Sequence, residues 1–199
     1  MSAEVREQKA AIRARVRDQV KLLTPVERAA ASSQVFSRLR REAVWREAKT
    51  VLLYSPLADE LDIRSLLQDA LMVGKTVALP RFEEKEGAYA ACRVTDLDRD
   101  LRLGRFEVNE PKPGCPVIPL NRLDFVAVPG VAFTVDGCRL GRGKGVYDRL
   151  LASVRGIKCG IAFDRQIVEH IPVEPHDVRL DYLLTPTRCW RVDRGAVLK

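Results

Sequence analysis

Short apolar runs that alternate with helical segments constrain the fold of this chain more than any other feature. The runs have the length of β-strands, are bounded by proline, glycine or charged residues, and cover residues 50–54, 76–79, 125–128 and 157–163. Residues 62–71, between the first two runs, have helical periodicity. Because a strand, a helix and a strand in this order form a right-handed parallel crossover, we expect a three-layer α/β domain with a mostly parallel, Rossmann-like sheet and helices on both faces.

Two helices are expected ahead of the sheet, over about residues 3–41, because apolar side chains recur there at helical spacing. Thr24, Pro25 and Glu27 have the pattern of a capping box, which predicts the start of the second helix. The α/β body should cover about residues 50–190, with an added antiparallel strand at residues 88–94 and an irregular excursion at residues 103–119. We expect residues 1–199 to form a single domain.

Cysteine usage and hydropathy favour a protein of the cytoplasm. The five cysteines are an odd number and contain no C-x-x-C pair, which argues against a disulfide framework and a zinc ribbon. No apolar stretch approaches the ~18 residues of a membrane span. The net charge of +7 predicts a surface that attracts anions, but charge alone does not choose among nucleic acid, a nucleotide and a small polyacidic molecule.

Residues 129–148, here called the glycine-rich segment, follow a buried strand and lead into an expected helix. Glycines at alternate positions leave backbone N–H groups free to approach phosphate oxygens, and cations lie between them. The glycines are Gly141, Gly143 and Gly145, and the cations are Arg139, Arg142 and Lys144. This combination predicts a polyphosphate site, whereas a flexible surface loop would explain the glycines but not the interleaved cations.

Two known phosphate loops do not match this segment. The Walker A pattern needs glycine at Cys138 and serine or threonine at Gly145. A dinucleotide fingerprint needs its glycines directly after a strand and a glycine or alanine at Val146.

The segment instead resembles the signature of 5-formyltetrahydrofolate cyclo-ligases, P-G-x-x-F-x-x-x-G-x-R-L-G-x-G-x-G-Y-Y-D. It matches every fixed position except the first tyrosine, which is Val146 here. The resemblance extends over nearly the whole chain, through an N-terminal K-x-x-x-R, an acid pair after a strand, G-K-x-V-x-x-P-R at residues 74–81 and a late block. The residues of these motifs include Lys9, Arg13, Glu60, Asp62, Ala162, Phe163, His176 and Asp177.

The resemblance implies an ATP- and Mg²⁺-dependent ligase. Its expected reaction converts 5-formyltetrahydrofolate, with or without a polyglutamate tail, into 5,10-methenyltetrahydrofolate, ADP and phosphate through a phosphorylated formyl intermediate. ATP would be the co-substrate and Mg²⁺ the cofactor. We expect a monomer without a nucleic-acid or membrane partner.

The family's functional positions fall on particular residues of this chain. Substrate contacts are implied for Leu57, Glu60, Asp62 and Tyr147, and magnesium ligands for Asp148 and Asp177. Catalytic roles are expected for Arg142, Lys144 and Tyr147. ATP contacts are implied for Lys9, Arg13, Arg139, Leu140, Gly141, Arg142, Gly143, Lys144, Gly145, Val146 and Tyr147.

Several of these residues have plainer alternatives. Lys9 and Arg13 fit a solvated helix face beside Arg6, Arg15 and Arg17. Asp62 fits the N-cap of the next helix, and Asp148 fits a first-turn acid favoured by the helix dipole. His170 and His176 are assigned no ligand role because five residues intervene between them.

Two other functions remain open at this point. A paralogue could use ATP on a different small anionic substrate. A basic nucleic-acid-binding module is less well supported, since the sequence contains no interleaved stripe of aromatic and basic residues.

Overall fold

The computed structural model describes residues 3–104, 108–143 and 145–193. Among these residues the helices are α1 (Ala3–Lys21), α2 (Pro25–Leu39), α3 (Ala43–Arg46), α4 (Arg64–Met72) and α5 (Val146–Ala152). The strands are β1 (Thr50–Leu52), β2 (Thr76–Glu83), β3 (Ala88–Val94), β4 (Leu101–Leu103), β5 (Asn109–Pro111), β6 (Val117–Ile118), β7 (Phe125–Val128), β8 (Ala132–Phe133), β9 (Arg139–Leu140), β10 (Ile157–Ile161), β11 (Tyr182–Leu184) and β12 (Cys189–Arg191). Short 3-10 helices cover Leu120–Arg122 and Asp164–Gln166.

One eight-stranded sheet forms the centre of the fold, in the order β12-β11-β10-β7-β1-β2-β3-β6. The five strands from β11 to β2 are parallel to their neighbours, whereas β12, β3 and β6 pair antiparallel at the two edges. Two small antiparallel pairs, β4-β5 and β8-β9, lie outside this sheet. The predicted α/β class with a mostly parallel sheet is confirmed, and so is the predicted antiparallel strand at residues 88–94.

Side chains of the central strands alternate between two apolar layers. Val51 and Leu53 face the layer that contains α1 to α4, whereas Leu52 faces the layer that contains α5. Near-complete burial on both faces explains why these strands read as continuous apolar runs in the sequence. Helices therefore cover both faces of the sheet, as predicted.

The boundaries of several elements differ from those expected. β1 ends at Leu52 and β10 at Ile161, earlier than the apolar runs suggest. Leu53 and Ala162 each still donate one backbone hydrogen bond to the neighbouring strand, and the pairing is lost beyond them as the loops diverge. α4 begins at Arg64 rather than at residue 62. The expected irregular excursion contains β5 and β6, and Pro111 lies in β5 of the small β4-β5 pair, where a proline is tolerated.

The start of α2 follows the sequence prediction in detail. The hydroxyl of Thr24 accepts a hydrogen bond from the Glu27 backbone N–H, and the Glu27 carboxylate accepts one from the Thr24 backbone N–H at 2.7 Å. This reciprocal capping box fixes where the chain leaves α1 and enters α2. No helix of the described residues is long and apolar enough to cross a bilayer.

The order in which strands are added to the sheet reverses between β1 and β7, which are parallel neighbours. From β1 the chain passes through α4 to β2 on one side, and from β7 it passes through α5 to β10 on the other side. The loops that follow β1 and β7 therefore separate, and a crevice opens between them at the carboxyl ends of the strands. This topological switch point is where a ligand site is expected.

Candidate active site

The crevice is bordered by residues 53–63 after β1, here called the β1 loop, by the glycine-rich segment after β7, and by α1. Within the glycine-rich segment, β8 and β9 form a small antiparallel pair, so Gly141 directly follows β9. A Cβ atom at Gly141 would lie 2.9 Å from Arg139 Nη1, and Gly143 has a φ of 103°, which side chains rarely adopt. The backbone conformation therefore favours glycine at Gly143, whereas a side chain at Gly141 would require the end of the Arg139 side chain to shift.

Gln166 connects the start of the glycine-rich segment, through hydrogen bonds, to the residues that follow β10. Its buried carboxamide donates from Nε2 to the carbonyl oxygens of Gly130 and Val131 at 2.8 and 3.1 Å. Its Oε1 accepts from the Phe163 backbone N–H at 2.8 Å. Sequence reasoning missed this residue, and no spacing could have identified it because all of its partners are backbone groups.

Arg142 links the glycine-rich segment to the β1 loop across the crevice. Arg142 Nη2 lies 3.2 Å from Glu60 Oε1 and also donates to Asp59. The Glu60 side chain is 9% exposed, and its other carboxylate oxygen accepts from the Leu57 backbone N–H at 3.1 Å. Burial raises the pKa of Glu60 above its ordinary value, although the Leu57 N–H and Arg142 oppose this shift.

Asp62 has a different environment from Glu60. Its Oδ1 accepts from the Arg64 backbone N–H at 2.9 Å, and its carboxylate pairs with the Arg64 guanidinium. The Arg64 hydrogen bond lowers the pKa of Asp62. Its side chain is 44% exposed. These contacts agree with the alternative in which Asp62 serves the start of α4, although Ile63 occupies the cap position itself. A substrate contact by Asp62 stays a prediction.

Two residues of the glycine-rich segment, Arg139 and Tyr147, pack against each other. Arg139 Nη2 donates to Asp148 Oδ1 at 2.7 Å, and its guanidinium carbon lies 5.7 Å from the centre of the Tyr147 ring. Burial, followed by the charge of Glu60, raises the pKa of Tyr147 well above its ordinary value. The Tyr147 hydroxyl is buried and has no hydrogen-bond partner among the described residues. Such a group indicates a position where a bound molecule can supply the partner.

Aromatic residues extend the wall from Tyr147. The Tyr89 ring meets the Tyr147 ring edge-on at 5.6 Å, and Phe82 meets Tyr89 in the same way at 5.6 Å. Tyr54, two residues beyond β1, donates to the Leu61 carbonyl at 3.4 Å. Burial and then the charge of Glu60 raise its pKa well above its ordinary value. Tyr54 and Tyr89 were missed, although the place of Tyr54 at the end of an apolar run was a usable signal.

Two predicted cations of α1 reach distant parts of the chain. Arg13 Nε donates to the Gly141 carbonyl oxygen at 2.8 Å. Lys9 Nζ donates to Asp177 Oδ2 at 2.9 Å and to Glu174 Oε2 at 3.0 Å. Burial alone lowers the pKa of Lys9, but the hydrogen bonds to the two carboxylates outweigh it and raise that pKa overall. Neither residue belongs to an ordinary solvated helix face.

The two predicted magnesium ligands lie in separate ion pairs, Asp148 with Arg139 and Asp177 with Lys9. Asp177 also belongs to a group with Glu174 and His176 whose potential ligand atoms lie within 4.8 Å of one another. Glu174 was missed, although it precedes Asp177 by only three residues. Carboxylate oxygens are the ligands that Mg²⁺ prefers, so this donor set suits the ion.

The other predicted nucleotide contacts differ in their surroundings. The Leu140 side chain is buried in the core, and its carbonyl oxygen accepts from the Val131 N–H. Gly145 precedes α5 with a positive φ of 62°, and Val146 is the first residue of that helix and half-buried. Lys144 lies outside the described residues.

Comparisons with known proteins agree on one family. The model of the 5-formyltetrahydrofolate cyclo-ligase family matches residues 5–186. The chain is 32% identical over 179 residues to the 5-formyltetrahydrofolate cyclo-ligase of Escherichia coli K12, covering 88% of this chain and 98% of the relative. It is 27% identical over 187 residues to the mouse 5-formyltetrahydrofolate cyclo-ligase, covering 88% and 92%.

Solved structures give the same result for the fold. The 5,10-methenyltetrahydrofolate synthetase of Aquifex aeolicus superposes with a TM-score of 0.84 at 35% identity and covers 96% of both chains. The synthetase of Mycoplasma pneumoniae has a TM-score of 0.72 at 21% identity, covers 89% of this chain and 98% of that chain, and supports the fold alone. This chain therefore belongs to the 5-formyltetrahydrofolate cyclo-ligase family, a family of ligases in folate metabolism.

Proposed function

We propose that the chain catalyses the ATP- and Mg²⁺-dependent cyclisation of 5-formyltetrahydrofolate to 5,10-methenyltetrahydrofolate, with release of ADP and phosphate. The observation that most supports this is the contact between Arg142 and Glu60, which are 82 positions apart in the sequence. This contact connects the glycine-rich segment, whose residues suit a phosphate site, to the β1 loop, whose acid suits a pterin site. Phosphoryl transfer requires its two reactants to meet at such a junction.

In the first step the formyl oxygen of the substrate attacks the γ-phosphorus of ATP. The new O–P bond forms as the bond to the β-phosphate oxygen breaks, and ADP leaves with the negative charge. Catalysis of this step rests on positioning and on neutralising charge. Arg142 and Lys144 are the cations proposed for this role, and Gly141 and Gly143 let the backbone approach the phosphates.

In the second step folate N10 attacks the activated formyl carbon and loses its proton. The C–O bond to phosphate then breaks, and the methenyl bridge remains. Glu60 would hold the pterin by accepting hydrogen bonds from its N–H groups. The Tyr147 hydroxyl would lie between the folate and the nucleotide. Leu57 fits the same wall, because its backbone N–H fixes the Glu60 carboxylate at 3.1 Å.

Asp148 and Asp177 are the carboxylates proposed to hold Mg²⁺, with Glu174 as an added candidate. When bound with ATP, the ion would neutralise charge on the phosphate oxygens. Lys9 and Arg139 now pair with these carboxylates, so they would share them with the ion or turn toward the phosphates.

A cytoplasmic location, a monomeric state and the absence of nucleic-acid and membrane partners remain part of the proposal. The first is supported by the five cysteines, all of which are free thiols. A thermal shift with MgATP but not with oligonucleotides would separate the ligase from a nucleic-acid-binding module.

The direct test is incubation of the protein with 5-formyltetrahydrofolate and MgATP while absorbance of the methenyl product is followed. Product should form only when both substrates are present. Hydrolysis of ATP without methenyl product, or with a different small anion as the required substrate, would favour the paralogue instead.

A further inference from the structure

Arg17 stands apart from the other cations that face the crevice. Lys9, Arg13, Arg139 and Arg142 each donate to a carboxylate or to a carbonyl oxygen. Among residues 3–104, 108–143 and 145–193, the buried Nε atoms of Arg17 and Arg139 both lack a hydrogen-bond partner, but Arg139 binds Asp148 through Nη2. A buried donor of this kind is costly unless some other molecule satisfies it.

The position of Arg17 on α1 directs it toward the crevice. Lys9, Arg13 and Arg17 follow one another at intervals of four residues, so they lie along one face of the helix. The same face carries the buried Val16 and Val20, whereas Arg15 points away and is exposed. Arg17 is thus not part of the solvated face to which the sequence pattern assigned it.

A small cavity places Arg17 at the meeting point of the two halves of the site. Its lining includes Arg17 and Asp59 and Arg142 from the two sides of the crevice, together with the buried Gln166. Arg13, one turn earlier on α1, instead donates to the carbonyl oxygen of Gly141 in the glycine-rich segment. Of these two arginines, Arg17 therefore lies closer to the β1 loop, where the proposed substrate would bind.

The like charges of Arg13 and Arg17 on α1 favour a bound anion beside Arg17. Arg13 and Arg17 are like charges on successive turns, and such pairs are destabilising unless an opposite charge lies between them. Burial and then the charge of Arg17 lower the pKa of Arg13. A planar guanidinium is well suited to bind two oxygens of one phosphoryl group.

We infer that Arg17 binds the terminal phosphoryl group of ATP, the group that moves to the formyl oxygen. This inference rests on the proposed function and adds a residue to it. The terminal group is the part of the triphosphate that must reach the substrate at the β1 loop, and Arg17 is a cation at that end whose buried Nε has no partner among the described residues. ADP lacks this group, so its binding should depend little on Arg17.

The test compares Arg17→Met with Arg15→Met, which removes the same charge from an exposed position of the same helix. Methionine keeps most of the apolar stem of arginine, so packing is largely preserved. Binding of a non-hydrolysable ATP analogue and of ADP, both with Mg²⁺, is measured by calorimetry on the full chain. Arg17→Met should weaken binding of the ATP analogue by about tenfold or more and binding of ADP by less than about threefold, whereas Arg15→Met changes neither by more than about twofold.

Arg17→Lys provides a further check, since it keeps the charge but loses the planar fork. Its affinity for the ATP analogue should lie between those of the parent and Arg17→Met. Thermal unfolding of each variant shows whether it is folded at the temperature of the titration.

Two results would overturn the inference while the proposed function stands. They are equal weakening of both nucleotides in Arg17→Met and a profile identical to that of Arg15→Met. A parent protein that binds neither nucleotide would instead overturn the proposed function, and this inference with it.

Discussion

Asp148→Asn should separate two roles that one carboxylate can have, an ion-pair partner and a magnesium ligand. Asp148 Oδ1 lies 2.7 Å from Arg139 Nη2, and the side chains of Asp148 and Arg139 are 16% and 3% exposed. The substitution keeps the size of the side chain and an acceptor oxygen but removes the charge. Arg139 then keeps only a neutral acceptor and the Pro129 carbonyl oxygen at 3.3 Å.

The expected loss of stability follows from this geometry. Breaking a buried ion pair costs about 3–5 kcal/mol, and a neutral acceptor in place recovers about 1 kcal/mol. Because the Asp148 carboxylate keeps some contact with solvent, we expect a loss near the lower limit, about 2 kcal/mol. For a chain of this length that corresponds to a fall in Tm of about 4–8 °C.

Thermal unfolding without nucleotide and with a chelator measures the ion pair alone. Asp18→Asn is the matched control, because Asp18 pairs with Lys21 at 3.2 Å while both side chains are 74% exposed. The control should move Tm by no more than about 1 °C. If Asp148→Asn unfolds at the same temperature as the control, the reasoning about the buried pair is refuted.

A magnesium titration of the cyclisation rate then measures the second role. If Asp148 is a ligand, the apparent magnesium requirement of Asp148→Asn should rise, and Asp177→Asn should behave in the same way. If both variants are destabilised but require no more magnesium than the parent, the two aspartates act only as ion-pair partners.

Three further substitutions test other parts of the site and fold. Glu60→Gln should weaken folate binding by roughly tenfold or more, because a buried pterin donor loses a charged acceptor, while ATP binding is unchanged. Calorimetry measures both affinities, and equal loss of both ligands would indicate a folding defect. Lys144→Met should lower kcat by roughly 10²-fold at saturating MgATP, and a near-parental kcat would leave Lys144 as a binding residue. Gly156→Ala places a Cβ atom against the Leu123 carbonyl oxygen and should lower Tm clearly, whereas Gly114→Ala, which has open space, should not.

The parts of the fold that the sequence predicted are those in which local pattern and burial agree. Residues 51–52 and 125–128 are buried on both faces, so their apolar runs mark β1 and β7. Thr24 marks the start of α2 because a capping box depends on neighbours only three residues apart. β11 and β12 went unpredicted, since each has three residues and is held by partners elsewhere in the chain.

The same contrast between local pattern and distant contacts applies to the candidate site. The resemblance selected Glu60, Lys9 and Arg13 as candidates because these residues belong to motifs with a fixed spacing. It could not identify Arg17 or Gln166, whose surroundings depend on which side of α1 faces the crevice and on where backbone carbonyl oxygens lie. The different surroundings of Glu60 and Asp62 also needed the structure, since in the sequence both are simply acids near a helix start.

The contacts of α1 have a consequence for how the protein folds. Lys9 binds Asp177 across 168 positions of the sequence, and Arg13 binds Gly141 across 128 positions. Closing such long loops costs chain entropy before any contact compensates it, so α1 should dock late, after β1 and β7 have paired. During synthesis the first helix must therefore wait for residues near position 177 to emerge, and until then its cations remain available to other anions.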